Sequence, residues 1–304
     1  MIGTPSEALS ALDRAILHTM IYADVFDYPL RSDEIHRYLT GVSASPIVVS
    51  ARLRELVPGV LERRGAFYVL PGREAIVAQR ERREKLAARL WSKALGYGRW
   101  IARLPFVRML AVTGSLAVNN VEAGADLDFL IVTRAGRLWL CRALILALGR
   151  LAELEGLRIC PNYLISECSL VFSEQTLYAA HELTQMVPLS GQEVYDRIRR
   201  LNGWVDHFLP NAEGAPLSSL GALRDNPDSQ VRLLLESLLL TRPGNWIEKW
   251  EMERKIRKLR LENDNNPEAS FSVDLCKGHY NRHGQRTEYS LRERLEGFSL
   301  EFVP

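Results

Sequence analysis

Two aspartates set two residues apart in an apolar run are the residues of this chain best placed to do chemistry. They are Asp126 and Asp128 in ADLDFLIVT, at the end of the stretch from Val107 to Thr133. In an extended strand Asp126, Asp128 and Leu130 share one face, while Leu127, Phe129 and Ile131 share the other. A carboxylate pair on one face of an otherwise apolar strand is costly to set against a core. A divalent cation is the usual compensation, because hard cations take carboxylate oxygens. Gly114-Ser115 comes earlier in the same stretch, after the apolar run VRMLAVT. A glycine lets the backbone approach a phosphate closely, and a serine hydroxyl can hydrogen-bond one. The plainer alternative is a β-turn-β unit with a solvated acidic edge.

The surrounding chain must position these groups. RAGRLWLCRALILALGRLAELEG has the apolar pattern of a helix packed on a sheet, with Gly156 at its C-terminal end. LRICPNYLISECSLVF follows as a further strand or strand pair. Strand, turn, strand, helix, strand is an α/β arrangement. Upstream, residues 6–75 read as three helices and a β-hairpin around Arg64-Gly65, with Ser6 and Ser32 as helix-start signals and Ser45-Pro46 opening the third helix. Residues 73–104 read as one connecting helix that ends or kinks at Gly96 and Gly98. Its run Arg80, Arg82, Arg83, Lys85 reads as a solvated face paired with Glu81 and Glu84, or alternatively as a nucleic-acid or triphosphate-facing surface. After Glu174 the pattern is helical, through QTLYAAHELTQMVPL and beyond.

The Gly114-Ser115 turn and the Asp126-Leu127-Asp128 strand together resemble the DNA polymerase β-type nucleotidyltransferase superfamily, in particular its small bacterial and archaeal members. The resemblance covers roughly residues 106–190. It implies a mixed sheet with helices and a nucleoside triphosphate lying across Gly114 and Ser115. It also implies two Mg²⁺ ions held by Asp126 and Asp128, and in-line transfer of a nucleoside monophosphate to an acceptor. The family usually adds a third carboxylate on a neighbouring strand. In ICPNYLI that place falls to Asn162, which can offer a metal its carbonyl oxygen but cannot take a proton as a carboxylate does. A catalytically degenerate, nucleotide-sensing or DNA- or partner-binding regulatory protein is therefore the alternative function. Residues 1–75 resemble a winged helix-turn-helix, whose third helix would carry Ser50, Arg52, Arg54 and Glu55 toward DNA or a protein partner. The expected organisation is a winged-helix-like domain (1–75), a connecting helix (76–105), a nucleotidyltransferase domain (106–190) and a C-terminal helical region (191–304).

Composition narrows the classes further. A formal net charge of +2 over 304 residues supports no global attraction to nucleic acid or membrane. Four irregularly spaced cysteines argue against a disulfide framework and fit a reducing, cytoplasmic setting. No apolar run reaches the roughly 20 residues that span a bilayer. Near the C-terminus, Cys276, His279 and His283 offer three zinc-ligand types without an obvious fourth. The same segment reads equally as a polar turn, or as a cationic loop over the triphosphate with Lys277, His279 and Arg286 as donors. Asn119, Asn120 and Glu122 read as loop polarity, Arg134 and Arg137 as surface or phosphate-contacting residues. His181-Glu182 reads as a satisfied histidine pair-site on an apolar helix, with a substrate-side role as the alternative.

Overall fold

The computed structural model describes residues 9–216, 230–262, 269–278, 283–298 and 300, with the backbone alone at 162. The chain begins with α1 (Ala11–Asp24), whose N-cap is Ser10: its hydroxyl accepts from Asp13 N, and Asp13 reciprocates to Ser10 N in a capping box. β1 (Leu30–Arg31), α2 (Ser32–Arg37) and α3 (Pro46–Glu55) follow, the last with Ser45 as N-cap and Pro46 in its first turn. β2 (Glu62–Arg64) and β3 (Phe67–Val69) form the hairpin at Gly65, and β1 adds to β3 to make a three-stranded antiparallel sheet.

α4 (Ala75–Ala102) is a single 28-residue helix that runs straight through Gly96 and Gly98, so neither glycine ends it. Its basic run is not a solvated face. Arg80 is 1% exposed, with its guanidinium 3.7 Å over the Tyr28 ring, donating to Pro29 O at 2.6 Å and to Glu34 Oε1 at 2.6 Å. Arg83 is buried as well, donating to Asn120 Oδ1 at 3.1 Å and to Glu122 Oε1 at 2.5 Å. Arg82 and Lys85 alone of the four remain exposed. Burial of an arginine on a helix face is stable only with such partners; apart from Glu84, which accepts from Arg80 Nε at 3.0 Å as the i,i+4 spacing anticipates, they lie outside the helix.

The central sheet has six strands in the order β7-β4-β5-β6-β9-β8. β4 (Val107–Val112) is antiparallel to β5 (Leu127–Thr133), and β5 is parallel to β6 (Ile159–Ser166) through the crossover helix α6 (Leu138–Glu153). After α7 (Leu177–Gln185), residues read from sequence as continued helix form instead β7 (Val187–Ser190), antiparallel to β4 at the sheet edge. An edge is where a strand tolerates Pro188. α8 (Gln192–Leu201), α9 (Val205–Phe208), α10 (Gln230–Leu239) and α11 (Arg242–Glu262) follow. The C-terminal region is not wholly helical: β8 (Ser270–Phe271) and β9 (Leu275–Lys277) complete the sheet before α12 (His283–Gly297).

Alternation along the strands divides the apolar residues between two cores. Met109, Ala111, Leu130 and Val132 face a core shared with α1, α2, α3, α7 and α8, whereas Leu110, Val112, Phe129 and Ile131 face one shared with α4 and α6. The N-terminal helices therefore sit directly on the sheet face that carries Asp128. Tyr28 Oη donates to Val118 O at 2.7 Å, and Arg294 of α12 donates to Asp24 O at 2.9 Å, closing the C-terminal helix onto α1. Among the described residues no helix is long and apolar enough to cross a membrane.

Candidate functional site

The chain leaves β4 through Thr113 and turns at Gly114, whose φ of +64° is a left-handed conformation that glycine adopts without strain. α5 (Gly114–Ala117) starts there. A second constraint acts on the same glycine: a Cβ at Gly114 would lie 2.8 Å from Asp128 Oδ2. Thr113 N donates to Asp128 O at 3.0 Å, fixing the turn against the acidic strand. Gly114→Ala is therefore expected to displace the Asp128 carboxylate and to strain the backbone. A thermal-unfolding scan should show a modest loss of stability, on the order of 1–3 kcal/mol. Metal-dependent ligand binding measured on the same sample should fall much further.

Gly114, Ser115 and Asp128 line a cavity of about 410 Å³. Tyr22, Phe26 and Tyr28 come to it from α1 and the segment after it, Tyr38 from the end of α2, and Tyr178, His181, Glu182 and Gln185 from α7. Asp128 is half-buried there, and burial raises its pKa to about 7, with the Asp126 charge adding to the shift and a hydrogen bond with Cys160 opposing it. Asp126 lies just before β5, outside the cavity wall, with Arg158 Nη1 at 3.5 Å from its carboxylate. The two aspartates are thus brought near each other but are solvated differently.

β5 and β6 are in register at Asp128–Cys160 and again at Leu130–Tyr163, with an irregularity between them that shifts the parity of β6. Cys160 is therefore the residue across from Asp128; burial and then the Asp128 charge push its thiol up to about 12, so it stays protonated and can donate. The Asn162 side chain lies outside the described residues.

Lys277 sits in β9 opposite Tyr163 and donates to Glu174 Oε1 at 2.5 Å. It lines a separate cavity of about 100 Å³, not the one at Gly114. Of the other C-terminal candidates, His279 lies outside the described residues, while Cys276 is buried in β9 and His283 borders the larger cavity. The loop residues have structural tasks: Asn119 Oδ1 accepts from Trp91 Nε1 at 2.7 Å, and Asn120 and Glu122 hold Arg83. Arg137 is buried against Phe106 and Asn245. On α3, Arg52 is committed to Asp13 and Glu55, which leaves Arg54 as the other arginine of that helix.

Glu182 is the acid whose importance the sequence understates. It faces the cavity from α7; burial raises its pKa to about 7, the Asp128 charge adds to the rise, and Lys277 opposes it. Its signal was a polar stripe, Tyr178, Glu182, Gln185, at helical spacing on a helix otherwise apolar. His181, beside it, is 4% exposed, stacks on Tyr22 with centroids 4.0 Å apart, and is held neutral by burial, with its pKa lowered to about 3. Its Nδ1 meets Gln185 Nε2 at 3.1 Å, and its Nε2 has no partner.

Among the described residues no group of three or more His, Cys, Asp or Glu side chains is arranged to hold a metal ion. The donor set is nonetheless of the right kind for Mg²⁺, which is commonly bound by one or two carboxylates together with substrate phosphates and water. Asp128 is a desolvated carboxylate whose proton affinity is raised further by the Asp126 charge. In chemical terms the site joins a tight glycine turn, a desolvated carboxylate with a more solvated acid near it, and an aromatic cavity. No family model matches this chain, and no curated protein or solved structure matches it either.

Proposed function

We propose that this chain is a Mg²⁺-dependent nucleotidyltransferase of the DNA polymerase β type, moving a nucleoside monophosphate from a nucleoside triphosphate to an acceptor held in the aromatic cavity. The observation that carries this reading is the contact between Gly114 and Asp128, a left-handed glycine turn packed against a desolvated carboxylate that has an acidic neighbour. Asp126 and Asp128 would hold the metal, and bound Mg²⁺ would neutralise charge on the triphosphate and lower the pKa of the attacking group. Gly114 leaves room for the polyphosphate beside the backbone, and the Ser115 hydroxyl donates to it. The Asp128 position is kept by Thr113 N and by the Cys160 thiol.

The acceptor oxygen forms a bond to the α-phosphorus, and the bond to the pyrophosphate oxygen breaks with its electron pair leaving on pyrophosphate. The acceptor proton passes to Glu182, a carboxylate whose proton affinity lies near neutrality and which therefore suits a general base. Glu182 thus takes the task that Asn162 cannot perform. The regulatory alternative through α3 is weakened by the pairing of Arg52 with Asp13 and Glu55, which withdraws the most central base of the expected DNA-facing set.

The test is turnover. Wild-type protein with Mg²⁺ and an α-³²P-labelled nucleoside triphosphate should release labelled monophosphate onto a component of a small-molecule or macromolecular extract. Glu182→Gln should lower the rate while leaving triphosphate affinity unchanged. Absence of label transfer across all four triphosphates would contradict the enzymatic reading.

A further inference from the structure

The cavity beside Asp128 has a composition that selects its occupant. Its described walls carry two carboxylates, Asp128 and Glu182, and the rings of Tyr22, Phe26, Tyr28, Tyr38 and Tyr178, but no lysine or arginine. Arg80 lies over the Tyr28 ring and is bonded to Glu34, and Arg37 lies over the Tyr38 ring with its donors on Glu213 O and Gly214 O. Arg83 is spent on Asn120 and Glu122. Lys277 is bonded to Glu174 in the neighbouring cavity, and its charge opposes but does not cancel the rise in the Glu182 pKa. A ring-lined space of about 410 Å³ whose described wall carries two carboxylates and no lysine or arginine disfavours an anionic guest and favours a positive one.

A second, independent observation points to a ligand in the same place. His181 lines the cavity, is 4% exposed, and its Nε2 finds no partner within the protein. Buried polar atoms are nearly always satisfied, so an orphaned nitrogen on a cavity wall marks a position where a ligand or water completes the bonding. Phe26 lines the cavity while remaining 38% exposed, and its carbonyl oxygen is tied to the loop after Ser115 by Asn120 Nδ2 at 3.2 Å. The N-terminal module thereby joins the wall of the site instead of standing apart as a nucleic-acid reader.

We infer that the acceptor bound in this cavity is an organic cation, an amine whose ammonium group lies among the tyrosine and phenylalanine rings within the field of Glu182, while its reacting hydroxyl faces that carboxylate. This rests on the nucleotidyltransferase reading for the word acceptor, and on the cavity alone for the charge. Cation–π contact with the rings and the nearby Glu182 charge supply the preference for positive charge. The polyphosphate end of the site lies at Gly114 and Ser115, where bound metal would reverse the local sign, so the anionic and cationic halves need not conflict.

The experiment compares 2-phenylethylamine with 2-phenylethanol, the same skeleton without the charge, by titration calorimetry at about pH 8, where the amine is protonated. The intact chain should bind the amine about tenfold or more tightly than the alcohol. Glu182→Gln should abolish that preference, and Phe26→Ala should weaken both ligands by a similar factor. Glu182→Gln removes a buried charge, so its folding is not at risk. Equal affinity for the two ligands, or tighter binding of phenylacetate, would overturn the inference. Binding of Mg²⁺ with a nonhydrolysable triphosphate is measured on the same samples. Its loss with the amine preference intact would remove the nucleotidyltransferase reading and leave the organic-cation site standing.

Discussion

Asp128→Asn is expected to be more stable than the wild type at alkaline pH and inactive at every pH. Burial raises the Asp128 pKa to about 7 from its ordinary value near 3.8, so the folded state holds this proton more tightly than the unfolded one. Below the unfolded value both states are protonated and the residue contributes no penalty. As pH rises from about 4 to about 7 the unfolded chain ionises while the folded one resists, and wild-type stability falls. Above about 7 the penalty is complete. At about 1.4 kcal/mol per unit it amounts to roughly 4 kcal/mol in metal-free buffer as an upper bound. Asparagine keeps the shape and never ionises. Urea unfolding of both proteins in EDTA, at pH values from 4 to 9, should show two midpoints that coincide in acid and separate progressively toward alkali. Turnover should drop by on the order of 10²–10³-fold or more, the scale of losing an electrostatic group that acts on the transition state. Parallel stability curves would show that Asp128 is solvated and not poised for a cation.

The second large effect is expected at Arg80, far from any phosphate. Its guanidinium is 1% exposed, and it joins α4 to the N-terminal module through Pro29 O, Glu34 and the Tyr28 ring, with Glu84 accepting from its Nε at 3.0 Å. Arg80→Met takes the guanidinium from a half-buried Glu34 that keeps Arg31 and Tyr28 as partners, so the cost is expected toward the lower end of the about 3–5 kcal/mol for removing one partner of a buried pair. Glu34 also accepts from Arg31 N at 2.7 Å at the start of α2, so the disturbance reaches the helix cap. Adding Glu34→Gln should recover part of the loss, because the amide oxygen keeps the cap without the charge. Arg82→Ala, on the exposed side of the same helix, should change the denaturation midpoint by no more than about 0.5 kcal/mol. Equal effects at Arg80 and Arg82 would contradict the assignment of Arg80 as a buried tie.

This contrast also explains which features the sequence discloses. Ser45-Pro46, the alternation of Leu127, Phe129 and Ile131 against Leu130, and the turn at Gly114 are local signals, and each is realised. β7, β8 and β9 are too short to show a period, and pair with strands far away in the chain, so they were hidden in segments that read as helix or loop. The burial of Arg80 and Arg83 depends on Glu34 and Glu122, partners more than 35 residues away. Cys160 stands across from Asp128 because β6 carries an irregularity between Cys160 and Tyr163, a feature that strand alternation in the sequence does not disclose. His181-Glu182 carries a substrate-side role only as the alternative reading, because the helix pattern alone gives no sign that Glu182 lies near the Asp128 carboxylate at the cavity. The aromatic wall was hidden for a related reason: Tyr22, Phe26, Tyr28 and Tyr38 look like ordinary core of a small helical module until the sheet is placed against them.

The central claim is that Asp126 and Asp128, with the Gly114 turn, form a metal-dependent triphosphate site. It is tested most directly by titrating a nonhydrolysable nucleoside triphosphate into wild type and into the Asp126→Asn/Asp128→Asn double variant, each with Mg²⁺ and with EDTA. Saturable binding in the wild type with Mg²⁺ alone, absent from the double variant and from both EDTA samples, is the predicted result. Equal binding with and without Mg²⁺, or unchanged binding in the double variant, would contradict it.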